Sequence, residues 1–266
     1  MRHRASLGSR NVRIVSLVLL PYHQDERLDD RSIVLPEGLS AEVVDTSLPE
    51  ADQWSRLVAL YDAHADEVAR AVGHGPVRVV TGDCLATVGT LVGLQRAGLD
   101  PSIVWFDAHG DVHTMASSES GYLGGAALRM VLGGDAELLG EPLGLRLLAE
   151  DRAVLVDARD LDPAETDYLA RAGVTHTTVA DVSAADLPDG PVLVHVDVDV
   201  IDPQEVPGLR FPAADGPSRS EVVDAVRRLL TSGRVVALDV ACPWVDPHDD
   251  DEVSRRTGVL AELLAT

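Results

Sequence analysis

Short runs of apolar residues, rich in β-branched side chains, recur along this chain. They are apolar at successive positions rather than at every second position, which is typical of strands that are buried on both faces of a parallel sheet. We therefore predict buried strands at Val12–Leu20, Val77–Thr81, Ile103–Phe106, Ala153–Val156, Val192–Val198 and Val235–Val240.

Segments with helical periodicity separate several of these runs. In Asp52–Val72, residues such as Leu57 and Leu60 fall at the spacing of one apolar helix face. Leu85–Ala97 and Glu221–Leu230 show a similar pattern. Strands that alternate with helices indicate an α/β fold in which helices cover both faces of a parallel sheet.

No internal repeat and no low-complexity linker is found along the sequence. We therefore expect residues 1–266 to form a single domain. The acidic segment Asp246–Glu252 is predicted to be a solvated loop.

The first apolar run follows Arg2, His3 and Arg4, an order that superficially resembles a signal peptide. At about nine residues Val12–Leu20 is short for a signal sequence, and no small-x-small cleavage site follows it. We interpret it as the first buried strand. No stretch of about 18 apolar residues occurs, so we expect no membrane partner.

Composition excludes further classes of function. Asp and Glu number 44 against 22 Lys and Arg, which gives a net charge of −22. Such a surface repels phosphate backbones, so no nucleic-acid partner is expected. The two cysteines, Cys84 and Cys242, are too few for a disulfide scaffold and suit a reducing compartment. We expect a cytoplasmic protein.

Two of the predicted strands lead directly into acidic motifs. Asp107, His109 and Asp111 follow one strand at spacings that point their side chains to one side of an extended chain, and Asp197 and Asp199 follow another. An unpaired buried carboxylate is very costly, so these groups require cations. Carboxylates with one imidazole suit Mn²⁺ or a similar divalent metal, and two such sets predict two ions.

The alternative interpretation is that these aspartates cap helices, as a single Asp at the end of a strand often does. That explanation accounts poorly for five carboxylates, with Asp202 as the fifth, and a histidine in two alternating runs. Thr81-Gly82-Asp83-Cys84 also follows a predicted strand. Alone it is a weak signal, because a buried inert thiol is the default, yet Cys84 is placed to contribute to the same edge of the sheet.

Together these segments resemble the ureohydrolase family, which includes arginases and agmatinases. That family has GGDH, DAHxD and DxDxxDP motifs in this order, and the resemblance covers roughly residues 75–245. It implies a three-layer α/β/α fold around an eight-stranded parallel sheet, with a binuclear Mn²⁺ centre. The resemblance assigns metal ligation to Asp107 and Asp197 as bridges, Cys84 and Asp111 at one ion, and His109 and Asp199 at the other.

Cys84 stands where the family has histidine. A thiolate is a softer ligand than imidazole, so Fe²⁺, Co²⁺ or Zn²⁺ are alternatives to two Mn²⁺ ions.

The segment from Asp157 to Pro163 resembles the part of arginases that recognises a substrate α-amino group, which makes Asp162 the candidate for that role. A loop or helix-capping role for Asp162 is the alternative. Ser120, with His113 in place of the family's asparagine, is the candidate for contact with an α-carboxylate.

Gly124 stands where arginases have the histidine that shuttles protons. Loss of such an acid–base group typically costs a factor of about 10²–10⁴, so arginine is expected to be a weak substrate. This departure and Cys84 resemble the branch of the family that hydrolyses Nω-hydroxy-L-arginine to hydroxyurea and L-ornithine in D-cycloserine biosynthesis. Asp111 is then the group that accepts a proton and passes it to the leaving amine.

The family's guanidinium-binding glutamate lies on the last strand, shortly before a proline. Matching that proline without a gap places Val240 there, and a one-residue shift places Asp239 there. We favour Asp239 because a cationic head needs an anion. The small-molecule partner is thus predicted to be a guanidino amino acid.

Other functions stay open at this point. One is hydrolysis of another guanidino or related substrate, such as arginine, agmatine, guanidinobutyrate or formimidoylglutamate. Another is a degenerate, non-catalytic family member that binds metal or a partner. Because the chain lacks a long C-terminal extension of the arginase kind, a monomer is expected.

Overall fold

A computed structural model describes residues 16–73 and 75–266. The strands are β1 (Leu17–Leu20), β2 (Tyr22–His23), β3 (Glu26–Arg27), β4 (Glu42–Val43), β5 (Val77–Thr81), β6 (Ser102–Asp107), β7 (Ala153–Asp157), β8 (Thr175–Thr177), β9 (Val192–Asp197) and β10 (Val235–Ala241). The helices are α1 (Gln53–Ala71), α2 (Thr87–Arg96), α3 (Ala127–Val131), α4 (Gly140–Leu143), α5 (Pro163–Leu169), α6 (Arg219–Leu230) and α7 (Asp250–Leu264).

Eight of the strands form one parallel sheet in the order β4-β1-β5-β10-β9-β6-β7-β8. Helices α1 to α4 pack against one face of this sheet, and α6 and α7 pack against the other. The predicted three-layer α/β/α fold with an eight-stranded parallel sheet is therefore confirmed. None of the described helices is long and apolar enough to cross a membrane.

The six apolar runs correspond to β1, β5, β6, β7, β9 and β10. Of the run predicted at Val12–Leu20, the structure describes a buried strand at Leu17–Leu20, and residues 12–15 lie outside the described residues. The pattern did not predict the two edge strands, β4 and β8. Both are short and largely exposed, so they lack the continuous apolar run that marks the interior strands.

Two boundaries differ from those expected. Val198 begins a 3₁₀ turn rather than ending β9, and Cys84–Ala86 forms a 3₁₀ turn before α2. The expectation of a loop throughout Asp246–Glu252 is wrong at its end, because α7 begins at Asp250. Asp249 caps this helix by accepting a hydrogen bond from the amide of Glu252 at 2.9 Å, and negative charge is favourable in a first helical turn.

The sheet order explains why distant segments meet. Strands β6 and β9 are direct neighbours, with Phe106 opposite Val196, and β10 separates β9 from β5. Since the strands are parallel, the carboxyl ends of β5, β6 and β9 lie at the same edge of the sheet. The segments that contain Cys84, Asp107 and Asp197 begin at that edge.

Candidate metal centre

Cys84 is positioned by the tight turn that follows β5. Within this turn the Thr81 hydroxyl donates to the Asp83 carbonyl at 3.0 Å, and Asp83 Oδ1 accepts from the amide of Leu85 at 2.8 Å. The turn directs the buried Cys84 thiol toward β9, where Sγ donates to Asp197 Oδ2 at 2.7 Å. Cys84 Sγ also lies 4.0 Å from Asp107 Oδ2.

Asp107 ends β6 with both carboxylate oxygens engaged. Its Oδ1 accepts from the amide of His109 at 2.7 Å, and its Oδ2 accepts from the indole nitrogen of Trp105 at 3.1 Å. The His109 ring returns toward the same carboxylate, with Nδ1 3.3 Å from Asp107 Oδ1. These contacts fix the direction of both side chains.

The motif on β9 mirrors this arrangement. Asp197 Oδ1 accepts from the amide of Asp199 at 2.8 Å, and Asp199 Oδ1 accepts from the amide of Ala108 at 3.2 Å. Asp199 Oδ2 lies 3.1 Å from His109 Nδ1. The two motifs, which are 90 positions apart in the sequence, are thus joined directly.

Two groups of potential metal ligands result, and they share one residue. In the first group, a ring nitrogen of His195 and a carboxylate oxygen of Asp107 lie close to Cys84 Sγ, and all three atoms are within 4.8 Å of one another. The same limit holds for Asp107, His109 and Asp199. Asp107 belongs to both groups, and its role as a bridge between two ions, which the family resemblance implies, stays a prediction.

The electrostatics of this cluster favour cations. Burial, together with the charges of Asp107 and Asp197, raises the pKa of Asp111 well above its usual range. Burial and the charge of Asp107 raise the pKa of Asp199 to about 7. Although burial opposes it, hydrogen bonding to Asp107 and Asp199 raises the pKa of His109 to about 12. Divalent ions would replace these protons and relieve the repulsion between carboxylates.

Asp111 supplies a further observation that marks this cluster as a functional site. Its Oδ2 is buried and has no hydrogen-bond partner among the described residues. Its backbone adopts φ +52°, in the left-handed region that few residues other than glycine enter. An orphaned carboxylate oxygen on strained backbone is typical of a functional site, and the donor set as a whole fits two divalent ions.

A cavity of about 260 Å³ opens beside this cluster, slightly below the roughly 300–1,000 Å³ that is typical of small-molecule sites. Residues from the motif after β6, from the segments that follow it, from the start of α5 and from the loop that contains Phe211 line it: His109, Asp111, His113, Gly125, Asp160, Leu161, Asp162, Glu165 and Phe211.

His113 and Asp162, predicted to contact the amino-acid end of a substrate, face this cavity as a pair. His113 Nε2 lies 2.8 Å from Asp162 Oδ2. Asp162 also caps α5, since its Oδ1 accepts from the amides of Ala164 and Glu165 at 2.8 and 3.0 Å. The capping role considered from the sequence is therefore present, and the other carboxylate oxygen faces His113.

Two predicted residues lie elsewhere. Ser120 is exposed, does not line the cavity and accepts a hydrogen bond from the amide of Tyr122 at 3.2 Å. Asp239 is completely buried on β10. It pairs with His195 of β9, two residues before Asp197 on that strand. Asp239 does not line the cavity, and its expected contact with a substrate head stays a prediction.

Sequence reasoning missed three residues around the centre. Tyr122 turns back over Gly124, and a Cβ atom added to Gly124 would overlap the Tyr122 ring. Phe211 packs beside that ring, with the centroids 4.5 Å apart. Glu165 lies close under Gly110, where a Cβ would come within 2.8 Å of Glu165 Oε1. The sequence shows a glycine, Gly124, at the position that matches the family's shuttle histidine. It does not show that the Tyr122 side chain covers this glycine.

His195 was also missed, although a histidine inside a continuous apolar strand is unusual. It is completely buried on β9, and its ring stacks on Trp105 with the centroids 3.7 Å apart.

Comparison with known proteins identifies a family whose model matches nearly the whole chain. A family model described as the arginase family matches residues 2–266. An arginase from Eremothecium gossypii is 34% identical over 203 residues, which cover 69% of this chain and 51% of that protein. The chain thus spans about half the length of this relative. An N(omega)-hydroxy-L-arginine amidinohydrolase from Streptomyces lavendulae is 28% identical over 243 residues, covering 86% of this chain and 84% of that protein.

Solved structures share the fold. The arginase from Bacillus cereus matches with a TM-score of 0.77 at 21% identity, covering 94% of this chain and 97% of that one. The Entamoeba histolytica arginase, solved in complex with L-ornithine, also gives 0.77, at 16% identity and with 95% and 98% coverage.

Proposed function

The chain belongs to the arginase family, and from this we propose that it is a two-metal hydrolase of guanidino amino acids that prefers Nω-hydroxy-L-arginine. The products are hydroxyurea and L-ornithine. The observation that carries the choice of substrate is the pairing of Gly124 with Tyr122, since the place of the family's shuttle histidine is filled by a phenol ring.

The proposed metal centre is held by Cys84, Asp107, His109, Asp111, Asp197 and Asp199. The chemistry that divalent ions would supply there is a lower pKa for water, which would make a nucleophile available near neutral pH. Manganese is the ion expected from the family resemblance, and the Cys84 thiolate makes Zn²⁺, Fe²⁺ or Co²⁺ suitable as well.

Asp111 is the proposed acid–base group. It lines the cavity, and its Oδ2 has no partner among the described residues, so that oxygen is free to take up a proton. The attacking water gives this proton to Asp111 while its oxygen bonds to the guanidino carbon. Asp111 then gives the proton to the δ-nitrogen of the substrate as the C–N bond to ornithine breaks.

An N-hydroxylated guanidine suits a site without a shuttle histidine. The hydroxyl oxygen makes the guanidine less basic than that of arginine, so less of the substrate must lose a proton before attack. Proton transfer by a separate histidine, worth about 10²–10⁴-fold elsewhere, is then less necessary. The relative from S. lavendulae, whose name gives this substrate, supports the same choice.

The amino-acid end of the substrate is proposed to bind at Asp162 and His113. Asp162 Oδ2 is the acceptor for an α-ammonium group, and His113 is the donor to an α-carboxylate. The two side chains now contact each other at 2.8 Å, so substrate binding separates them. Ser120 would reach this end only after a movement of its exposed turn.

Hydrolysis of agmatine is the second candidate, and the His113–Asp162 pair is the observation that favours it. Asp162 already has a partner, and agmatine has no α-amino group that would compete for it.

The decisive experiment compares Nω-hydroxy-L-arginine, L-arginine and agmatine with purified protein loaded with Mn²⁺, and quantifies hydroxyurea, urea and ornithine. We expect the highest kcat/KM for the hydroxylated substrate and loss of turnover in Asp111→Asn. Asp167→Asn, which alters an exposed carboxylate on α5, is the matched control and retains turnover. A preference for agmatine, or no hydrolysis of any substrate by the metal-loaded protein, would contradict the proposal.

A further inference from the structure

A polar group lies in the core directly beneath the proposed metal centre. His195 is in the middle of β9, a strand in which Val192, Leu193, Val194 and Val196 are all buried apolar residues. The mechanism proposed above does not use it. A completely buried imidazole in such a strand needs partners, because an unsatisfied buried polar atom costs about 1–3 kcal/mol.

The two nitrogens of this ring have different surroundings. Nδ1 lies 2.9 Å from the hydroxyl of Thr87 on α2 and 3.5 Å from Asp239 Oδ2 on β10. Nε2 is buried and has no hydrogen-bond partner among the described residues. With its proton on Nδ1, facing a hydroxyl and a carboxylate, the ring presents the lone pair of Nε2.

The ring is held in place and lies close to the ligands. Trp105 stacks on it with the centroids 3.7 Å apart, and the Trp105 indole nitrogen donates to Asp107 Oδ2. A ring nitrogen of His195, Cys84 Sγ and a carboxylate oxygen of Asp107 lie within 4.8 Å of one another. That spacing suits three ligands around one ion.

We infer that His195 is an additional metal ligand, through Nε2, at the ion shared by Cys84 and Asp107, and that Asp239 is its positioning residue. This inference rests on the proposed two-metal centre and extends its ligand set to a residue from the middle of a strand. A metal-bound histidine usually donates its other N–H to a carboxylate or a similar group, which sets its tautomer and orientation. Asp239 and Thr87 occupy that place at Nδ1.

The consequence concerns the choice of metal. Thiolate, imidazole and carboxylate together form a softer donor set than the carboxylates and His109 at the neighbouring ion. The Cys84–His195 position therefore favours Zn²⁺, Fe²⁺ or Co²⁺, and the two positions differ in their preferred ion.

His64 provides a matched control. Its ring is also completely buried on the same face of the sheet, its Nε2 lies 2.9 Å from the Thr90 hydroxyl, and its Nδ1 has no partner among the described residues. It belongs to none of the groups of potential metal ligands in the described part of the chain. A buried histidine that merely packs in this layer is expected to behave like His64.

The test uses NMR-active Cd²⁺ bound to the full-length wild-type protein, in which scalar coupling between cadmium and ring protons identifies each coordinated histidine. We expect coupling of one ion to His109 and of the other, which also couples to the Cys84 β-protons, to His195. No coupling to His195, or coupling only to His109, would overturn the inference, as would failure of the protein to bind Cd²⁺.

Affinity measurements on variants give an independent result. In competition with a chelator, His195→Gln is expected to raise the Kd for Co²⁺ at the thiolate position at least as much as Asp239→Asn, for which about 10- to 100-fold is typical of such an outer partner. His64→Gln leaves that Kd unchanged. Equal effects of His195→Gln and His64→Gln would show that His195 acts through packing.

These readouts do not depend on turnover. A protein that hydrolyses no guanidino substrate but shows the His195–cadmium coupling would contradict the proposed function and retain the ligand assignment. Turnover of hydroxyarginine without that coupling would support the proposed function and contradict the assignment of His195 as a ligand.

Discussion

The thiol of Cys84 donates a hydrogen bond to the carboxylate of Asp197 at 2.7 Å, which joins the turn after β5 to the end of β9. Burial and the nearby charge of Asp197 raise the pKa of Cys84 well above its usual range. A metal ion binds the thiolate, so its arrival must displace this proton.

The first prediction is therefore that metal affinity increases with pH, and that Cys84→Ser weakens this dependence. Each proton released on binding contributes about a tenfold change in apparent Kd per pH unit. The slope of log Kd against pH, measured by Zn²⁺ competition, should decrease by about one proton in Cys84→Ser. Cys242→Ser is the control, since this thiol is equally buried but belongs to none of the ligand groups in the described chain. An unchanged slope in Cys84→Ser would argue against thiolate ligation.

A second prediction concerns Tyr122 and Gly124. Because a Cβ at Gly124 would overlap the Tyr122 ring, Gly124→Ala should lower the free energy of unfolding by about 1–3 kcal/mol, as overpacking does elsewhere. The loss should largely disappear when Gly124→Ala is combined with Tyr122→Ala, in a double-mutant cycle measured by urea denaturation.

Gly125 is a neighbouring control for that cycle. A Cβ there would lie 3.6 Å from His113 Cδ2, an ordinary contact, so Gly125→Ala should cost little. Additive effects of the changes at positions 122 and 124 would mean that the ring does not occupy the space above Gly124.

A third prediction follows from the His113–Asp162 pair. His113→Asn replaces the ring that lies 2.8 Å from Asp162 with a shorter amide that can still donate to an α-carboxylate, so the Asp162 carboxylate becomes available to an α-ammonium group without a competing contact. KM for hydroxyarginine should fall several-fold, whereas KM for agmatine, which lacks that ammonium group, should not change. Parallel changes for both substrates in steady-state assays would place the pair outside the recognition of the amino-acid end.

A fourth prediction concerns His64 and acid stability. Burial lowers the pKa of His64 from 6.5 to about 4, against the smaller opposing effects of Asp239 and Glu67. Between these values the unfolded state binds more protons than the native state, so stability decreases as the pH falls. Between pH 7 and pH 5 this histidine should account for a loss of about 2 kcal/mol.

This loss is measurable as the difference between wild type and His64→Gln in chemical denaturation at the two pH values. His248→Gln, at an exposed histidine, should retain the wild-type dependence. If His64→Gln retains it as well, the His64 side chain is not the group that titrates.

The parts of the molecule that sequence patterns predicted are those that depend on local geometry. Continuous apolar runs predicted the six inner strands, because burial on both faces leaves few polar positions in them. The spacing of Asp107, His109 and Asp111 predicted a shared direction on an extended chain. That reason does not hold beyond Asp107, because β6 ends there and Asp111 adopts φ +52°. The meeting of the segments that follow β5, β6 and β9 was also predictable, because the carboxyl ends of parallel strands lie at the same edge of a sheet.

Features that depend on contacts between distant side chains were not predicted. Whether Asp162 is free or paired depends on the rotamer of His113, and Tyr122 covers Gly124 through the path of its own loop. Asp239 was assigned to the substrate from its place near a proline, but the depth of a residue within a strand decides what it can touch. The start of α7 was hidden because an acidic first turn has the composition of a loop.

The distribution of the ligands along the chain also bears on how the protein acquires its ions during translation. Cys84 and Asp107 leave the ribosome 113 and 90 residues before Asp197, and β9 must pair with β6, and β10 must lie between β9 and β5, before these proposed ligands converge. A nascent chain that ends before residue 197 lacks Asp197 and Asp199, so both of its ligand sets are incomplete and bind ions weakly. Tight metal binding is therefore expected late in biosynthesis. It stabilises only those molecules in which β9 and β10 have already joined the central sheet.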